Sequence, residues 1–144
     1  MIPITLFIIL SLDRLTKLLV TKSLSLNQSV PVIKGVFHIT LIHNRGAAFG
    51  ILKNQVPFLI LTSAIAIILI YLNLKDNRGK IIYAVSLSFI LAGALGNLID
   101  RLFLGYVIDF LDFRIWPVFN IADSAITIGA VLLGWYILFN KNVS

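Results

Sequence analysis

Long apolar runs separated by short polar segments dominate the hydrophobic pattern of the chain. The ranges Val56–Leu74 and Ile81–Ile99 each contain 19 residues without a formal charge. A helix of that length measures roughly 28 Å, which is close to the thickness of the hydrocarbon core of a bilayer. We therefore predict that both ranges are transmembrane helices. The polar, turn-prone link Lys75–Lys80 joins them into a hairpin.

Two further apolar ranges contain charged residues. In Ile2–Val20 the first half is apolar, and Asp13 and Lys17 follow. A cleaved signal peptide is the alternative interpretation of this range, but a preceding basic stretch and a small-residue cleavage site are missing. The second range, Phe119–Phe139, has Asp123 near its start. The four predicted spans are residues 2–20, 56–74, 81–99 and 119–139.

The distribution of basic residues indicates how the spans are oriented. Four spans place both termini on the same side of the membrane. The short link Lys75–Lys80 and Lys141 near the C-terminus concentrate positive charge on that side, which favours the cytoplasm. We therefore predict cytoplasmic termini, with segments 21–55 and 100–118 outside.

The outer segment 21–55 contains two stretches that are typical of β-strands. Val30–Ile33 and Val36–Ile42 are rich in β-branched and aromatic residues. Gly35 separates them and predicts a turn. A small sheet on the membrane surface is therefore expected.

Composition supports a single membrane-embedded domain, residues 1–144. Apolar residues make up 59% of the chain and charged residues 12%, whereas soluble domains average about 45–50% and 25%. A water-soluble fold of this length could not bury so much apolar surface. The net charge of +6 is explained by contact with anionic lipid headgroups. Nucleic-acid binding is not expected, because the basic residues are scattered among apolar spans.

Few side chains are available for chemistry. The chain contains no cysteine, which excludes disulfides, thiol nucleophiles and cysteine-based metal sites. His38 and His43 do not form a metal-binding pattern, so neither a metal nor another cofactor is predicted. The chain also contains no glutamate. Its acidic residues are Asp13, Asp76, Asp100, Asp109, Asp112 and Asp123.

Four of these aspartates are expected to lie at the outer boundary of the membrane. Asp13 lies in the outer part of the first span, and Asp100 directly follows the third. Asp109 lies in an apolar run, and Asp123 opens the fourth span. Two carboxylates brought together in a poorly hydrated site share one proton. The charged member can then take a proton from water while the other donates one to a scissile carbonyl, which is the chemistry of aspartic proteases.

Each of these aspartates also has a structural interpretation. Asp123 could stabilise a helix N-terminus through the helix dipole, and Asp109 could be a loop acid in contact with water. Asp100 and Arg101 could form an ion pair. Asp13 has a lysine four residues later, which is the spacing of a helical salt bridge. The residues alone leave these alternatives open.

Two other classes of function are compatible with aspartates at membrane depth. A small proton-coupled membrane transport component would use them as a proton relay. The acids gather at one face of the membrane, however, and the central spans 56–74 and 81–99 contain none. A structural or partner-binding subunit would need no chemistry from them.

Four motifs, in order along nearly the whole chain, resemble those of the lipoprotein signal peptidases, or signal peptidase II, of bacterial inner membranes. Residues 13–17 (DRLTK) resemble the DxxTK element of that family, and residues 44–49 (NRGAAF) resemble its NxGAAF element. Residues 96–101 (GNLIDR) followed by 107–110 (VIDF) resemble its GNxxDR…VxDF element. Residues 119–124 (FNIADS) resemble its FNxADS element.

The resemblance implies a fold and an activity. The fold is an all-α membrane protein of four transmembrane helices, with a small extracytoplasmic β-element and a short extracytoplasmic helical segment. The activity is that of an aspartic endopeptidase without a cofactor, acting as a monomer at the outer face of the inner membrane. Its substrate is a prolipoprotein whose cysteine already carries diacylglycerol, cut on the N-terminal side of that cysteine. Membrane lipid is the other partner, and globomycin-type peptides are inhibitors.

The resemblance also implies which residues form the site. The catalytic aspartates of the family fall on Asp109 and Asp123. The positions that bind substrate or support the site fall on Asp13, Lys17, Asn44, Gly46, Asn97, Asp100, Arg101 and Asn120.

Overall fold

The computed structural model of the chain describes residues 2–46, 52–76 and 80–139. It is mostly helical, with one small sheet. In chain order the elements are α1 (Ile2–Ser23), β1 (Ser29–Ile33), β2 (Phe37–Asn44), α2 (Val56–Asp76), α3 (Ile81–Leu104), β3 (Val107–Asp112) and α4 (Ile121–Phe139).

Three of the helices are long and apolar enough to cross a membrane. These are Val56–Leu74 within α2, Ile81–Leu104 and Ile121–Phe139, and they coincide with helices at three of the predicted spans. The fourth predicted span, in α1, is as long but is interrupted by Asp13 and Lys17. Its length and composition do not by themselves mark it as a membrane helix, so that span stays a prediction.

Two helix ends differ from the predicted boundaries for identifiable reasons. The third helix continues five residues beyond Ile99, to Leu104, because its first stop signal is Gly105. This glycine has φ 78°, and its N–H donates to the carbonyl oxygen of Arg101, which closes the helix with a left-handed cap. The last helix begins at Ile121, two residues after the predicted start at Phe119.

Helix α3 is the centre of the bundle, since it packs against α1, α2 and α4. Its contact with α4 is close because small residues face each other. A Cβ added at Gly93 would collide with the carbonyl oxygen of Ala122 and lie 2.7 Å from Cγ1 of Ile126. A Cβ at Gly96 would lie 2.8 Å from Oδ2 of Asp13. Glycine at these positions lets α3 approach the start of α4 and the middle of α1.

The outward faces of the helices are apolar. Large side chains such as Phe7, Leu61, Leu69, Phe103 and Val131 are each more than half exposed. In water this much exposed apolar surface would be unfavourable, whereas in a bilayer it is solvated by lipid. The distribution is therefore that of an integral membrane protein.

The sheet is antiparallel with strand order β1-β2-β3. The first two strands form the predicted hairpin, and Gly35 has φ 77° at its turn, as a left-handed position requires. The third strand was not predicted. It pairs with β2 so that Asp109 lies opposite Ile42 and Val107 opposite Asn44.

The expected extracytoplasmic helical segment is not found in the described part of the chain, where the only helices are α1 to α4. Val107–Asp112, in the outer segment between the last two helices, is extended instead. Its β-branched and aromatic residues favour a strand, and the free edge of β2 supplies the hydrogen bonds that an extended segment needs. This correction places Asp109 on a paired strand and not on a loop.

The close α3–α4 contact makes a testable prediction. Replacing Gly93 with Ala forces the two helices apart, and we expect a loss of about 1–3 kcal/mol in the free energy of unfolding. Gly134→Ala is the matched control, because nothing lies within 4 Å of a Cβ added there. That change removes a flexible residue from a helix and should be neutral or stabilising by up to about 1 kcal/mol. Thermal unfolding in detergent measures both; equal stability of the two variants would contradict the packing described.

Candidate active site

Asp109 is a buried carboxylate on strand β3. It is 2% exposed. Its Oδ1 accepts a hydrogen bond of 2.7 Å from Nδ2 of Asn120, and its Oδ2 accepts one of 2.9 Å from Nδ2 of Asn44. Burial, followed by the charge of Asp123, raises the pKa of Asp109 to about 7, although the two amides oppose the shift. Asp109 is therefore poised to hold or release a proton near neutral pH.

Asp123 lies in the first turn of α4, where it belongs to a capping box with Asn120. The backbone N–H of Asp123 donates to Oδ1 of Asn120 at 2.9 Å, and the backbone N–H of Asn120 donates to Oδ2 of Asp123 at 3.3 Å. Its other oxygen, Oδ1, accepts a 2.7 Å hydrogen bond from Nδ2 of Asn97. The structural interpretation of Asp123 as a helix-terminal acid is thus confirmed, and it is compatible with a role in the site.

Asn120 joins the two aspartates and is completely buried. While its Oδ1 caps α4 at Asp123, its Nδ2 donates to Asp109 and also lies 3.1 Å from Oδ1 of Asn97. Nδ2 is in addition 3.2 Å from the carbonyl oxygen of Ile108. One side chain therefore fixes the strand that carries Asp109 relative to the helix that carries Asp123.

A set of four charged side chains lies next to this pair, and we call it the buried ion cluster: Asp13, Arg14, Lys17 and Asp100. Lys17 Nζ is 3.0 Å from Asp13 Oδ2 and 2.7 Å from Asp100 Oδ2. Arg14 donates to Asp13 Oδ2 at 2.6 Å and to Asp100 Oδ1 at 2.7 Å. The side chains of both aspartates and Lys17 are no more than 2% exposed, and that of Arg14 is 35% exposed.

The cluster confirms one expected ion pair and corrects another. Asp13 and Lys17 form the salt bridge that their spacing indicates. Asp100 does not form a salt bridge with the adjacent Arg101, whose guanidinium donates to the carbonyl oxygen of Gly46 instead. Its partners are Arg14 and Lys17 on α1. Arg14 occupies an unspecified position of the DxxTK motif, so the motif did not indicate its part in the cluster.

The cluster also positions the elements that carry the aspartate pair. Asp13 Oδ1 accepts from the backbone N–H of Ala122 at 3.1 Å, in the first turn of α4. Asp100 Oδ2 accepts from the backbone N–H of Ile108 at 3.2 Å, on β3 beside Asp109. Lys17 Nζ donates to Oδ1 of Asn97 at 3.2 Å. The cluster is thus hydrogen-bonded to the backbone of the residue that precedes each of the two aspartates.

The remaining expected residues lie on the β2 side of the pair. Asn44 Oδ1 accepts from the backbone N–H of Gly46 at 2.9 Å, which orients its Nδ2 toward Asp109. Arg101 donates to the carbonyl oxygen of Gly46 at 3.2 Å, and its charge interacts with Asp123 and Asp109. The rest of the NRGAAF motif, residues 47–49, and Gly50 lie outside the described residues.

The histidines take no part in this arrangement. His43 stacks on Tyr106 with ring centroids 3.8 Å apart, and His38 contacts Ser29. Within residues 2–46, 52–76 and 80–139, no three His, Cys, Asp or Glu side chains form a group that could hold a metal ion.

Together these contacts bring all ten residues named from the motifs into one polar region at the end of the helical bundle. The two aspartates at its centre interact electrostatically, and each is held by neutral amide donors. Carboxylates in this relation titrate as a pair and retain one proton over a range of pH. Such a pair can perform acid–base chemistry on a water molecule.

The chain matches one protein family and several individual proteins. Residues 5–139 match the family described as Signal peptidase (SPase) II. The lipoprotein signal peptidase of Halothermothrix orenii is 47% identical over 143 residues, which covers 99% of each chain. That of Moorella thermoacetica is 48% identical over 134 residues, which covers 91% of this chain and 88% of the relative.

Solved structures resemble the whole fold. One bacterial membrane enzyme, determined in meso at 2.3 Å resolution, superposes with a TM-score of 0.92 at 32% identity, over 99% of this chain and 92% of the other. A second, at 1.9 Å resolution, gives a TM-score of 0.87 at 35% identity, over 99% and 94% of the two chains.

The buried ion cluster makes a testable prediction about stability. Asp100→Asn leaves Lys17 and Arg14 with too few anionic partners in a buried setting, and we expect a loss of about 3–5 kcal/mol in the free energy of unfolding. The matched control is Arg114→Gln, because the Arg114–Asp112 pair has a half-exposed cation. That change should cost about 0–1 kcal/mol. Chemical or thermal unfolding in detergent distinguishes them, and a stable Asp100→Asn variant would show that the cluster does not hold the fold together.

Proposed function

The chain belongs to the signal peptidase II family and is therefore a membrane peptidase, and we propose that it is an aspartic endopeptidase whose catalytic groups are Asp109 and Asp123. Its proposed substrates are prolipoproteins whose cysteine carries diacylglycerol, cut on the N-terminal side of that cysteine. The observation that carries the proposal is the bridge of Asn120, whose side chain donates to the Asp109 carboxylate and whose backbone N–H donates to that of Asp123.

The chemistry follows from one proton shared by two carboxylates. The charged member takes a proton from water as the water oxygen bonds to the scissile carbonyl carbon, and the protonated member donates to the carbonyl oxygen. The resulting diol then collapses. The C–N bond breaks as the carboxyl group that took a proton from water donates that proton to the leaving nitrogen. A diol hydroxyl returns a proton to the other carboxylate. The pair ends in its starting state without a covalent intermediate.

The location of the pair suits a lipid-modified substrate. Asp109 lies on a strand just beyond the end of α3, and Asp123 lies in the first turn of α4. Both therefore lie near the end of the apolar helices. A substrate with two acyl chains leaves the bilayer only at a cost of about 0.8 kcal/mol per buried CH₂. Cleavage at the membrane boundary lets those chains remain in lipid.

We also propose that α1 is the fourth membrane span. Its charges turn inward, since Asp13 and Lys17 are buried and Arg14 binds the two cluster aspartates. Its outer face carries Phe7 and Leu19, which are 72% and 63% exposed. A charged residue at membrane depth is tolerated when it faces the bundle interior and is paired. The composition that disqualifies α1 as a simple apolar span is thus compatible with crossing the membrane.

Four spans support a topology with both termini in the cytoplasm and the site at the outer face. The sheet and the aspartate pair then share the extracytoplasmic end of the bundle. One chain contains the complete set of site residues, so we propose a single-domain enzyme that acts as a monomer, without a cofactor. Globomycin-type peptides are its proposed inhibitors.

The direct test is replacement of each aspartate by its amide. Asp109→Asn and Asp123→Asn each remove proton transfer from the pair, and we expect turnover of a diacylglyceryl-prolipoprotein to fall by at least about 10²-fold. Asp112→Asn is the matched control, because Asp112 lies three residues along the same strand and contacts Thr40 and Arg114 instead. Gel-shift cleavage assays on purified protein measure all three. Substantial turnover by either Asp109→Asn or Asp123→Asn would rule out the pairing.

The pH dependence of cleavage is a second prediction. The pKa of Asp109 is raised to about 7, so Asp109 retains its proton below that pH and loses it as the pH rises through that value. Because the proposed mechanism needs one protonated carboxyl, kcat/KM should decline as the pH rises above about 7. A rate that stays constant well into the alkaline range would contradict a shared proton.

A further inference from the structure

We propose that the two aspartates are not equivalent at rest: Asp123 is the ionised member, Asp109 holds the shared proton, and Lys17 acting through Asn97 is the positioning group that sets this asymmetry. This inference rests on the proposed function, since it assigns the roles of base and acid within the same pair. It makes Asp123 the group that activates water and Asp109 the group that protonates the scissile carbonyl.

The number of hydrogen bonds does not distinguish the two carboxylates. Asp123 accepts from Asn97 and from the backbone N–H of Asn120. Asp109 accepts from Asn44 and from the side chain of Asn120. A protonated carboxyl can still accept such bonds through its remaining lone pairs. The asymmetry must therefore arise from the charges and dipoles behind the donors and from the burial of each carboxylate.

The orientation of Asn97 is fixed by a cation. Lys17 has three N–H donors and no acceptor, so the atom of Asn97 that lies 3.2 Å from its Nζ must be the carbonyl oxygen. The side chain of Asn120 donates to the same oxygen. The N–H₂ end of Asn97 then has to face Asp123, and its amide dipole carries positive potential from Lys17 to that carboxylate. Such charge-supported donors stabilise an ionised acceptor.

The backbone around the two aspartates acts in the same direction. Asp123 is the third residue of α4, where the positive end of the helix dipole stabilises a negative charge. Asp109 lies on a strand, which has only a small net dipole. Asp109 is also almost completely buried, and burial favours its protonated form, in agreement with its raised pKa of about 7.

Lys17 also favours an ionised Asp109 through space, but only at Asp123 does that charge act together with an amide that it orients. The other charged groups around the pair do not oppose the assignment. The buried ion cluster has no net formal charge, because its two cations, Arg14 and Lys17, are matched by two aspartates. Arg101 on α3 interacts more strongly with Asp123 than with Asp109. On β2, His43 is adjacent to Asn44 and so faces the other side of the strand, where it stacks on Tyr106. Helix α4 contains no other charged residue.

The experiment compares two amides that each bind one carboxylate. In a profile of kcat/KM against pH, the acidic limb reports ionisation of the first carboxylate and the alkaline limb loss of the remaining proton. Asn97→Ser removes a donor from Asp123 and should move the acidic limb to higher pH by about one unit. Asn44→Ser removes a donor from Asp109 and should leave the acidic limb in place while moving the alkaline limb to higher pH.

The contribution of Lys17 is tested in the same profile. Lys17→Met should move the acidic limb in the same direction as Asn97→Ser, and Lys17→Arg should restore it. If Lys17→Met fails to fold, the comparison of Asn97→Ser with Asn44→Ser still decides the assignment. The reverse pattern of limbs, or equal shifts of both limbs in both variants, would overturn it.

A measurement without turnover separates this inference from the proposed function. Between the two limbs, the substrate-free protein should show an infrared band of a protonated carboxyl group, and Asn44→Ser should shift its frequency while Asn97→Ser does not. The opposite result would assign the proton to Asp123. Cleavage by Asp109→Asn or Asp123→Asn would refute the proposed function instead, whatever the infrared spectrum shows.

Discussion

The interaction on which the rest of the structure depends is the neutralisation of buried charge between α1 and α3. Ionised side chains at membrane depth are costly unless paired, and removing one member of a buried pair leaves an uncompensated charge. Here two cations from α1 meet one aspartate of their own helix and one of α3. Asp13 Oδ1 accepts from a backbone N–H group of α4, and Asp100 Oδ2, which also binds Lys17, accepts from one of β3. Pairing the charges thus also fixes the two segments that carry Asp109 and Asp123.

Fold and chemistry use the same side chains at the start of α4. Asn120 and Asp123 satisfy each other's backbone N–H groups in a capping box, which would stabilise the helix in any protein. The remaining donor of Asn120 reaches across to Asp109, and the remaining oxygen of Asp123 accepts from Asn97. The residue that caps the helix therefore also connects the two titratable groups. The close approach of α3 at Gly93 and Gly96 makes this geometry possible.

Much of this architecture could be predicted from the sequence, and the parts that could not share a cause. Apolar runs and their length predicted the helices, and the motif resemblance singled out Asp109 and Asp123, which Asn120 joins in the structure. The strand Val107–Asp112 was missed because it is short and its partner β2 lies more than 60 residues earlier in the chain, so no spacing in the sequence indicates that the two pair. Arg14 was missed for a related reason. Its value comes from contact with Asp100 on another helix, which no spacing within α1 can indicate.

In the proposed mechanism Asp109 and Asp123 act on water as a pair and do not attack the peptide themselves. A single turnover of a diacylglyceryl-prolipoprotein, with enzyme in excess and in water labelled with a heavy oxygen isotope, tests it most directly. Mass spectrometry then locates the isotope. We expect the label in the new carboxylate of the released signal peptide, with none in the peptides that contain Asp109 or Asp123. Label in either aspartate would show that the carboxylate formed a covalent intermediate and would contradict the mechanism.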